Sequence, residues 1–461
     1  MASFLDRERI VAQPGHSRWL VPPAALAIHL CIGQAYAMSV FNLPMTKLIG
    51  ITRSAPDDWK LTSVAVIFSV AIVFLGLSAA VFGAWLERVG PRKAMFAAAA
   101  CFGGGFLVSA LGVHAHSLAL VILGYGVLGG IGLGLGYISP VSTLIKWFPD
   151  RPGMATGMAI MGFGGGAMIG SPLAVNLMKR FSTATSTGVA ETLAAMGIIY
   201  FAFMLFGALT VRVPAEGWKP EGYVPRAVAQ KLVTSAQVSV GNAVRTPQFY
   251  LLWGVLFLNV SAGIGVLQTA SPIIQQTLGV SAAAAAGFVG LLSLFNMGGR
   301  FAWSSLSDKI GRKPVYTIYF LLGAVTYALV PTAAAMHSVP LFVALTCVIL
   351  SMYGAGFATI PAYLRDLFGT MQVGAIHGRL LTAWSAAGVV GPLLINFMRD
   401  YQVAHGVKLE QSYNVTMYIL AGFLILGFIC NALVTPVDEK FHARPQAPAA
   451  PVPAPARLAA S

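Results

Sequence analysis

The chain alternates between long apolar runs and short polar segments, and this alternation restricts its possible folds more than any other feature. Twelve runs of 18 to 28 residues can be counted. Crossing the hydrocarbon core of a bilayer, about 30 Å thick, takes about 20 helical residues at a rise of about 1.5 Å each. The sequence therefore predicts an all-α membrane protein with twelve transmembrane helices. The runs are 20–41, 61–86, 94–113, 118–145, 154–177, 193–211, 249–273, 284–306, 315–336, 340–364, 375–398 and 417–434.

The composition excludes a water-soluble globular domain. Apolar residues make up 57% of the 461 positions and charged residues 10%, whereas soluble domains carry about 25% charged residues. The net charge of +14 does not indicate nucleic-acid binding, because the basic residues are scattered between apolar runs. No disulfide, metal site or cofactor is expected, since every cysteine falls inside an apolar run as a packing residue. The cysteines are Cys31, Cys101, Cys347 and Cys430.

The distribution of Lys and Arg predicts which side of the membrane each loop faces. If both termini are cytoplasmic, the cytoplasmic side holds 21 of the 29 basic residues, the outer side holds seven, and Arg300 lies inside a run. An excess of Lys and Arg is typical of cytoplasmic loops. The polar residues 1–19 lead directly into the first run, so we expect a retained helix rather than a cleaved signal peptide. The sequence thus predicts a multi-pass protein of the cell (inner) membrane with both termini in the cytoplasm.

The two halves of the chain repeat each other. Residues 87–90 match residues 308–311 at an offset of 221, and Pro140 and Pro361 keep the same offset. Such duplicated six-helix units are the usual build of secondary transporters. We expect a cytoplasmic N-terminus at 1–19, six-helix halves at 20–213 and 248–435, a cytoplasmic linker at 214–247, and a disordered cytoplasmic tail rich in Pro and Ala at 436–461.

The two polar turns of this repeat resemble the signature of the major facilitator superfamily, which lies between its second and third helices and between its eighth and ninth. The resemblance implies the major facilitator fold, with two pseudo-symmetric six-helix halves. It also implies that the turns form a charge-paired latch that favours one access state. The alternative is that they are positively charged membrane anchors with a tight glycine turn. The residues concerned are Glu87, Arg88, Gly90, Asp308, Lys309, Gly311 and Arg312.

Further segments resemble the oxalate:formate antiporter family. Residues 147–157 and 162–166 look like its fifth helix, 36–41 like its first helix, and 354–361 like its tenth. The resemblance covers about residues 20–435, and the related monocarboxylate transporters share it more weakly. It implies a protein that is not an enzyme but moves small carboxylate anions across a lipid bilayer.

Arg300 is the most informative polar residue, because a cation inside a membrane span is costly and marks a functional site by default. It could instead lie near the cytoplasmic helix end, reach the interface or pair with Asp308. Asn296 and Arg300 share a helix face at a spacing of four. This stretch resembles the eighth-helix segment whose Arg binds carboxylate in both families, although monocarboxylate transporters have Asp where Asn296 stands. No Asp or Glu lies well inside a run, so an anionic substrate could supply the counter-ion.

Other residues resemble the pocket lining of the family, although each could instead be core packing. In oxalate carriers the eleventh helix supplies a Lys as a second cation, and Trp384 stands in that stretch, which favours a monocarboxylate. Arg379 could be interfacial or reach the cavity, and His29 is read as a packed, neutral histidine. The remaining candidates for the pocket are Gln34, Tyr36, Tyr137 and Tyr353.

Together these features predict a monomeric carrier of monocarboxylates such as formate, lactate or pyruvate, with oxalate as a further candidate. We expect alternating access and anion exchange, because no intramembrane carboxylate is present to relay protons. A proton-coupled monocarboxylate symporter is the first alternative, since His29 or the substrate could carry the proton. A drug-efflux carrier is the second, because residues 166–172 partly resemble the fifth-helix motif of proton-driven efflux pumps.

Overall fold

The computed structural model of the protein describes residues 4–223, 232–234 and 236–443. This part of the chain consists of helices joined by short loops, with isolated β-bridges and no strand. Residues 444–461, which include most of the predicted disordered tail, lie outside the described residues. The twelve long helices are α1 (Arg18–Ala37), α2 (Leu61–Val89), α3 (Pro91–His114), α4 (Leu118–Trp147), α5 (Pro152–Phe181), α6 (Val189–Thr210), α7 (Pro247–Leu278), α8 (Ala282–Ile310), α9 (Arg312–Ala335), α10 (Val339–Phe368), α11 (Val373–Ala404) and α12 (Leu409–Ala432).

Each apolar run falls on one of these helices, which confirms the predicted fold class. Eleven helical segments of the described chain are long and apolar enough to cross a membrane. The remaining run lies on α8, Ala282–Ile310, which has Asn296 and Arg300 in its central part. The helix α1 is less regular than its sequence predicts: it ends in a 3-10 turn, Gly33–Ala37, and the chain continues as a short helix, Ser39–Met45.

Proline and glycine set several helix boundaries. Pro91, Pro152 and Pro247 lie in the first turn of α3, α5 and α7, where a missing N–H group costs no hydrogen bond. Gly90 and Gly311 lie between α2 and α3 and between α8 and α9, with φ angles of 85° and 96°. Side-chain-bearing residues rarely adopt such angles. The repeated glycine therefore lets each helix pair reverse direction over a single residue.

Basic side chains in the first turns of α3 and α9 bind the last carbonyl groups of α6 and α12. Arg92 donates to the carbonyl oxygens of Ala208 and Leu209 at 3.2 and 2.9 Å, and Lys313 donates to that of Ala432 at 2.7 Å. The last carbonyl groups of a helix have no intrahelical partner and attract cations. Because Arg92 and Lys313 are separated by the repeat offset of 221, the two halves share this internal contact.

Both termini of the described chain and the segment between the halves lie at the same end of the bundle. The backbone N–H of Ala12 donates to the carbonyl oxygen of Val213 at 2.9 Å, and that of Ala443 donates to Gln237 at 2.7 Å. Within the predicted linker at 214–247, residues 224–231 and 235 lie outside the described residues. We call this end of the bundle the linker end, and define it by residues 4–17, 211–223, 236–246 and 433–443.

The two halves contact each other mainly along α2 with α11 and along α5 with α8. Small residues let these helices approach closely, as is common inside membranes. A Cβ atom on Gly83 would lie 2.8 Å from the Cα of Ala375, and one on Gly157 would collide with Ser304. The glycine-rich segments of the sequence therefore serve close packing between helices.

Two carboxylates connect the halves at the linker end. Asp308, near the end of α8, accepts hydrogen bonds from the backbone N–H groups of Gly153 and Met154 in the first turn of α5, at 2.9 and 2.8 Å. Glu87, near the end of α2, accepts one from Gly374 in the first turn of α11 at 3.0 Å. N-terminal N–H groups of a helix lack intrahelical partners and attract negative charge. The two acids, and Gly153 and Gly374, are each 221 residues apart, so one interaction occurs twice.

Cations flank both carboxylates. Arg312 binds Asp308 at 2.7 Å and Asp366 at 3.0 Å, and all three side chains are nearly completely buried. Lys146 binds Glu87 at 2.7 Å in a more exposed position. Removing one member of a buried ion pair is costly, because the other charge stays buried without compensation. Asp308 is therefore the more strongly held of the two carboxylates. The remaining cations of the two polar turns, which are exposed, are Arg88 and Lys309.

We expect Asp308→Asn to weaken the contact between the halves at the linker end. The amide keeps the size of the side chain but loses the charge that binds the start of α5 and Arg312. One hydrogen bond to a charged group contributes about 1.5–3 kcal/mol, so states open at this end should become at least about tenfold more populated. A cysteine at Ser142, which packs against Gly374, should then react faster with a thiol reagent in a protein lacking its native cysteines.

Asp400→Asn is the matched control for this experiment. The substitution is the same, but Asp400 lies at the opposite end of α11, where it is exposed and pairs with Arg399. Equal reactivity of the cysteine in the Asp308→Asn and Asp400→Asn variants would contradict a latch at Asp308.

Candidate functional site

Arg300 lies inside α8, ten residues before its last residue, Ile310, and its side chain is 0% exposed. Its Nε donates to the Oδ1 atom of Asn296 at 3.0 Å, so the two residues share one helix face. Asp308, the alternative partner, instead binds Arg312 and the first turn of α5. The structure therefore places Arg300 in the interior of the bundle and not at the membrane interface.

The two terminal nitrogens of Arg300, Nη1 and Nη2, are buried and have no hydrogen-bond partner among the described residues. The hydroxyl groups of Tyr36 and Tyr137 face the guanidinium but do not satisfy these two nitrogens. A buried charge without compensation is strongly unfavourable. The free edge of the guanidinium thus presents two buried donors and a positive charge that no described side chain pairs with.

Aromatic rings enclose this edge. The guanidinium carbon lies 5.8 Å from the ring centre of Phe163 and 5.3 Å from that of Phe357, within the range of cation–π attraction. Trp384 contacts these two rings at 5.2 and 4.5 Å. The ring of Tyr137 lies 5.2 Å from that of Trp384. We call this group the aromatic box, and define it by Tyr36, Tyr137, Phe163, Tyr353, Phe357 and Trp384.

The aromatic box lies between the two halves of the protein. Tyr36, Tyr137 and Phe163 come from α1, α4 and α5, and the other members come from α10 and α11. The hydroxyl oxygens of Tyr36 and Tyr353 are 3.0 Å apart and form a hydrogen bond across the interface. A Cβ atom on Gly164 would lie 2.9 Å from the Nε of Arg300, so this glycine lets α5 approach the guanidinium. A site at this position changes its surroundings whenever the halves move relative to each other.

Two polar atoms of the aromatic box are also buried without a hydrogen-bond partner in the described part of the chain. They are the Tyr137 hydroxyl and the Trp384 indole Nε1. With the two Arg300 nitrogens they form a group of donors and no carboxylate, which suits an anion rather than a metal ion. Among the described residues, no group of three or more His, Cys, Asp or Glu side chains could hold a metal.

Two candidates from the sequence are not part of this arrangement. Gln34 is buried within the N-terminal half, where its Oε1 accepts a hydrogen bond from the Tyr125 hydroxyl at 3.0 Å. Arg379 points to the linker end, where its Nη1 donates to the carbonyl oxygen of Val240 at 3.3 Å. Asn296, Tyr36, Tyr137, Tyr353 and Trp384 are the candidates that the structure gathers around Arg300.

The sequence analysis missed three residues of this region. Phe163 lies 221 positions before Trp384, so the repeat offset itself was a signal that the two rings are equivalent. Phe357 follows Tyr353 by four positions and therefore shares its helix face. His377, whose ring lies 5.8 Å from that of Tyr137, had no such signal.

The comparison with known proteins establishes the family of the chain. The sequence matches the Major Facilitator Superfamily over residues 25–392 and again over residues 299–459. The chain belongs to this superfamily. It is therefore a multi-pass membrane transporter and not an enzyme, as the sequence predicts.

The relatives also confirm the narrower resemblance. The chain is 28% identical to an oxalate:formate antiporter of Oxalobacter formigenes over 81% of this chain and 83% of the relative. It is 25% identical to apicoplast pyruvate carrier 1 of Toxoplasma gondii over 84% and 78%. It is 26% identical to the human monocarboxylate transporter 11 over 89% and 81%.

The solved structures support the same fold. A proton:xylose symporter of the superfamily aligns with a TM-score of 0.64 over 89% of this chain and 94% of that chain, at 16% sequence identity. At this low sequence identity, the likeness shows the fold and nothing about the function. The twelve helices in two halves are therefore the architecture of a major facilitator protein.

Two buried arginines with different surroundings give a test of the site. In Arg300→Met, the uncompensated charge is removed, and we expect the free energy of unfolding to increase by about 1–3 kcal/mol despite the lost Asn296 contact. In Arg312→Met, two buried carboxylates lose their partner, and we expect a decrease of about 3–5 kcal/mol. Unfolding of both purified variants by heat or denaturant measures the two changes. A less stable Arg300→Met variant would show that its charge is already compensated.

Proposed function

We propose that the chain is a secondary active transporter of small carboxylates that works by alternating access between its two halves. The observation that carries this proposal is the buried guanidinium of Arg300, whose two terminal nitrogens are unpartnered inside the aromatic box. The proteins named oxalate:formate antiporter, pyruvate carrier and monocarboxylate transporter support the same class of substrate.

A carboxylate fits the free edge of Arg300 in shape and in charge. Its two oxygens can accept one hydrogen bond each from Nη1 and Nη2, since a guanidinium and a carboxylate form such paired hydrogen bonds. The Tyr137 hydroxyl and the Trp384 Nε1 are further donors at the edge of the box. The surrounding rings favour a small, planar anion and keep water away, which strengthens the electrostatic attraction.

The number of cations in the box favours a monocarboxylate such as formate, lactate or pyruvate over oxalate. One negative charge is neutralised by Arg300, whereas a dianion leaves one charge in excess. Two unit charges about 4 Å apart interact by about 4 kcal/mol at an effective dielectric constant of about 20, so this excess is expensive. Trp384 contributes no charge to the box, and Arg379 is engaged at the linker end.

Anion exchange follows from the same charge. A carrier that returns empty must rearrange its halves around an uncompensated Arg300, whereas a carrier that returns with another anion keeps the site neutral. The acidic side chains of the closed linker end, Glu87, Asp308 and Asp366, are bound to cations. They are therefore not free to relay protons through the centre of the bundle.

Flux into proteoliposomes tests the proposal. Uptake of labelled pyruvate or formate should require a carboxylate inside the vesicle, and an imposed pH gradient alone should drive little uptake. Arg300→Lys keeps the charge but loses the paired geometry, so uptake should fall by at least about tenfold, the equivalent of one charge-assisted hydrogen bond.

Arg379→Lys is the matched control, because it is the same substitution in a side chain that reaches the linker end. It should transport at a rate near that of the wild type. Normal transport by Arg300→Lys together with loss in Arg379→Lys would move the substrate site away from the aromatic box. Strong uptake into vesicles without internal anion, driven by a pH gradient, would replace exchange with proton symport.

The orientation in the membrane is part of the proposal. With six-helix halves at 20–213 and 248–435, the excess of Lys and Arg supports an inner membrane location with the N-terminus at 1–19, the linker at 214–247 and the tail at 436–461 in the cytoplasm. We also propose that the monomer is the working unit, because the site is formed within one chain.

Reporter fusions test this orientation. A reporter that is active only in the cytoplasm should be active after Ser461 and when inserted after Lys219. A reporter that is active only outside the cytoplasm should be silent at both positions and active when inserted after Gly406, between α11 and α12. Activity of the second reporter at Ser461 or Lys219 would reverse the topology.

A further inference from the structure

Two histidines on opposite halves of the protein flank the aromatic box, and the proposed function uses neither. The ring of His29 on α1 lies 5.4 Å from the ring of Tyr137, and that of His377 on α11 lies 5.8 Å from it. Both side chains are buried, with exposed fractions of 0% and 1%. Both imidazoles thus contact the ring of Tyr137, which is itself part of the aromatic box.

Each imidazole has a free proton-accepting nitrogen. The Nδ1 atom of His29 lies 3.2 Å from the carbonyl oxygen of Ala25. Because a carbonyl oxygen only accepts hydrogen bonds, Nδ1 is the protonated nitrogen of the neutral ring, and Nε2 has an unshared electron pair. This Nε2, like both ring nitrogens of His377, is buried and has no hydrogen-bond partner among the described residues. One nitrogen of His377 must also be an acceptor in its neutral form.

The charge in the box decides when a proton can be held there. Both imidazoles are buried, and burial disfavours the charged form, so in the empty site both are neutral. A bound monocarboxylate cancels the charge of Arg300 and leaves no net field to attract a proton. A bound dicarboxylate leaves one negative charge in a buried, low-dielectric place, and this charge attracts a proton to the nearest free acceptor.

The other charged groups around the two histidines are engaged. Glu87 accepts a hydrogen bond from Gly374, three residues before His377, and binds Lys146. Arg379 donates to Val240. The titratable or charged groups on the helices packed around the pair are Cys31 and Tyr36 on α1, Glu87 on α2, Tyr137 and Lys146 on α4, Tyr200 on α6, Arg300 on α8, Tyr353 on α10 and Arg379 on α11.

We propose that His29 and His377 form a proton site that lets this carrier accept small dicarboxylates such as oxalate together with one proton. The proton comes from the solution and adds to a free imidazole nitrogen, so the complex of dianion, Arg300 and imidazolium is neutral. The inference rests on the proposed function, because it places the dianion at Arg300. It assigns to a histidine the second positive charge that dianions require and that Trp384 does not provide.

The proton count on binding is the direct test, with oxalate and pyruvate as probes. Calorimetric titrations of the purified full-length protein in two buffers of different ionisation enthalpy should show uptake of about one proton per oxalate and none per pyruvate. The affinity for oxalate should rise by about tenfold for each unit of pH lowered within the range where imidazoles titrate, and the affinity for pyruvate should stay constant. No proton uptake with oxalate would overturn the inference.

Substitutions separate the histidines from the ligand as the carrier of the proton. In the variant with His29→Gln and His377→Gln, oxalate should bind without proton uptake and without the pH dependence. If this variant does not fold, at least one of the two single variants should lose the uptake. Full uptake in the double variant would show that oxalate itself binds as the hydrogen oxalate monoanion, and would overturn the inference. Full uptake in both single variants would overturn a site that needs both imidazoles.

A permanent charge in the box serves as a further control. Trp384→Lys supplies the second cation directly, so oxalate should bind to this variant with no proton uptake even though both histidines are present. Uptake of one proton by this variant would contradict the requirement for a neutral complex. Binding of pyruvate but not oxalate at any pH by the wild type would overturn this inference alone, whereas binding of neither would also overturn the proposed function.

Discussion

The contact between two carboxylates and two helix N-termini is the interaction on which the arrangement of the halves depends. Asp308 and Glu87 each reach from the end of one helix to the first turn of a helix in the other half. Such a contact combines a full charge with unpaired N–H groups, so it is directional and can be broken by a small rotation of either half. Both contacts lie at the linker end, whereas Arg300 and the aromatic box lie deeper in the bundle, where Arg300 is completely buried.

The two buried arginines differ in how the protein compensates their charge. Arg312 is surrounded by Asp308 and Asp366 and stabilises the closed end. Arg300 is equally buried, but within the described part of the chain only its Nε is hydrogen-bonded, by the neutral side chain of Asn296. In the first arrangement, carboxylates of the protein neutralise the arginine. In the second, no carboxylate of the described residues pairs with the arginine. A ligand that supplies the missing charge can therefore change the relative energies of the two access states, which an already compensated site could not do.

The twelve helices, the repeat and the position of Arg300 inside a helix could be predicted from the sequence, because each has a one-dimensional signal, namely length, offset or an isolated charge. The helix N-termini that Glu87 and Asp308 bind could not be predicted, because almost any residue type can provide a backbone N–H group. Gln34 resembles a pocket residue, and Arg379 could have been interfacial or have reached the cavity. Their side chains point into the N-terminal half and to the linker end instead, and packing sets the helix rotation that decides this. Phe163 and Trp384 are separated by the repeat offset of 221. Many apolar residues share this offset, so the pair could be recognised only once the structure showed that both rings lie in the aromatic box.

Asn296 binds the guanidinium of Arg300 through a neutral side chain. A carboxylate at this position, which the resemblance to monocarboxylate transporters would imply, would lie within hydrogen-bond distance of Arg300 and cancel its charge when ionised. It would then have to take up a proton before an anion could bind, which couples the substrate to a proton at Arg300 itself. The amide of Asn296 fixes the guanidinium through Nε without changing its charge. A response of the site to pH then requires other groups, and the imidazoles of His29 and His377 beside Tyr137 have buried nitrogens without a hydrogen-bond partner among the described residues.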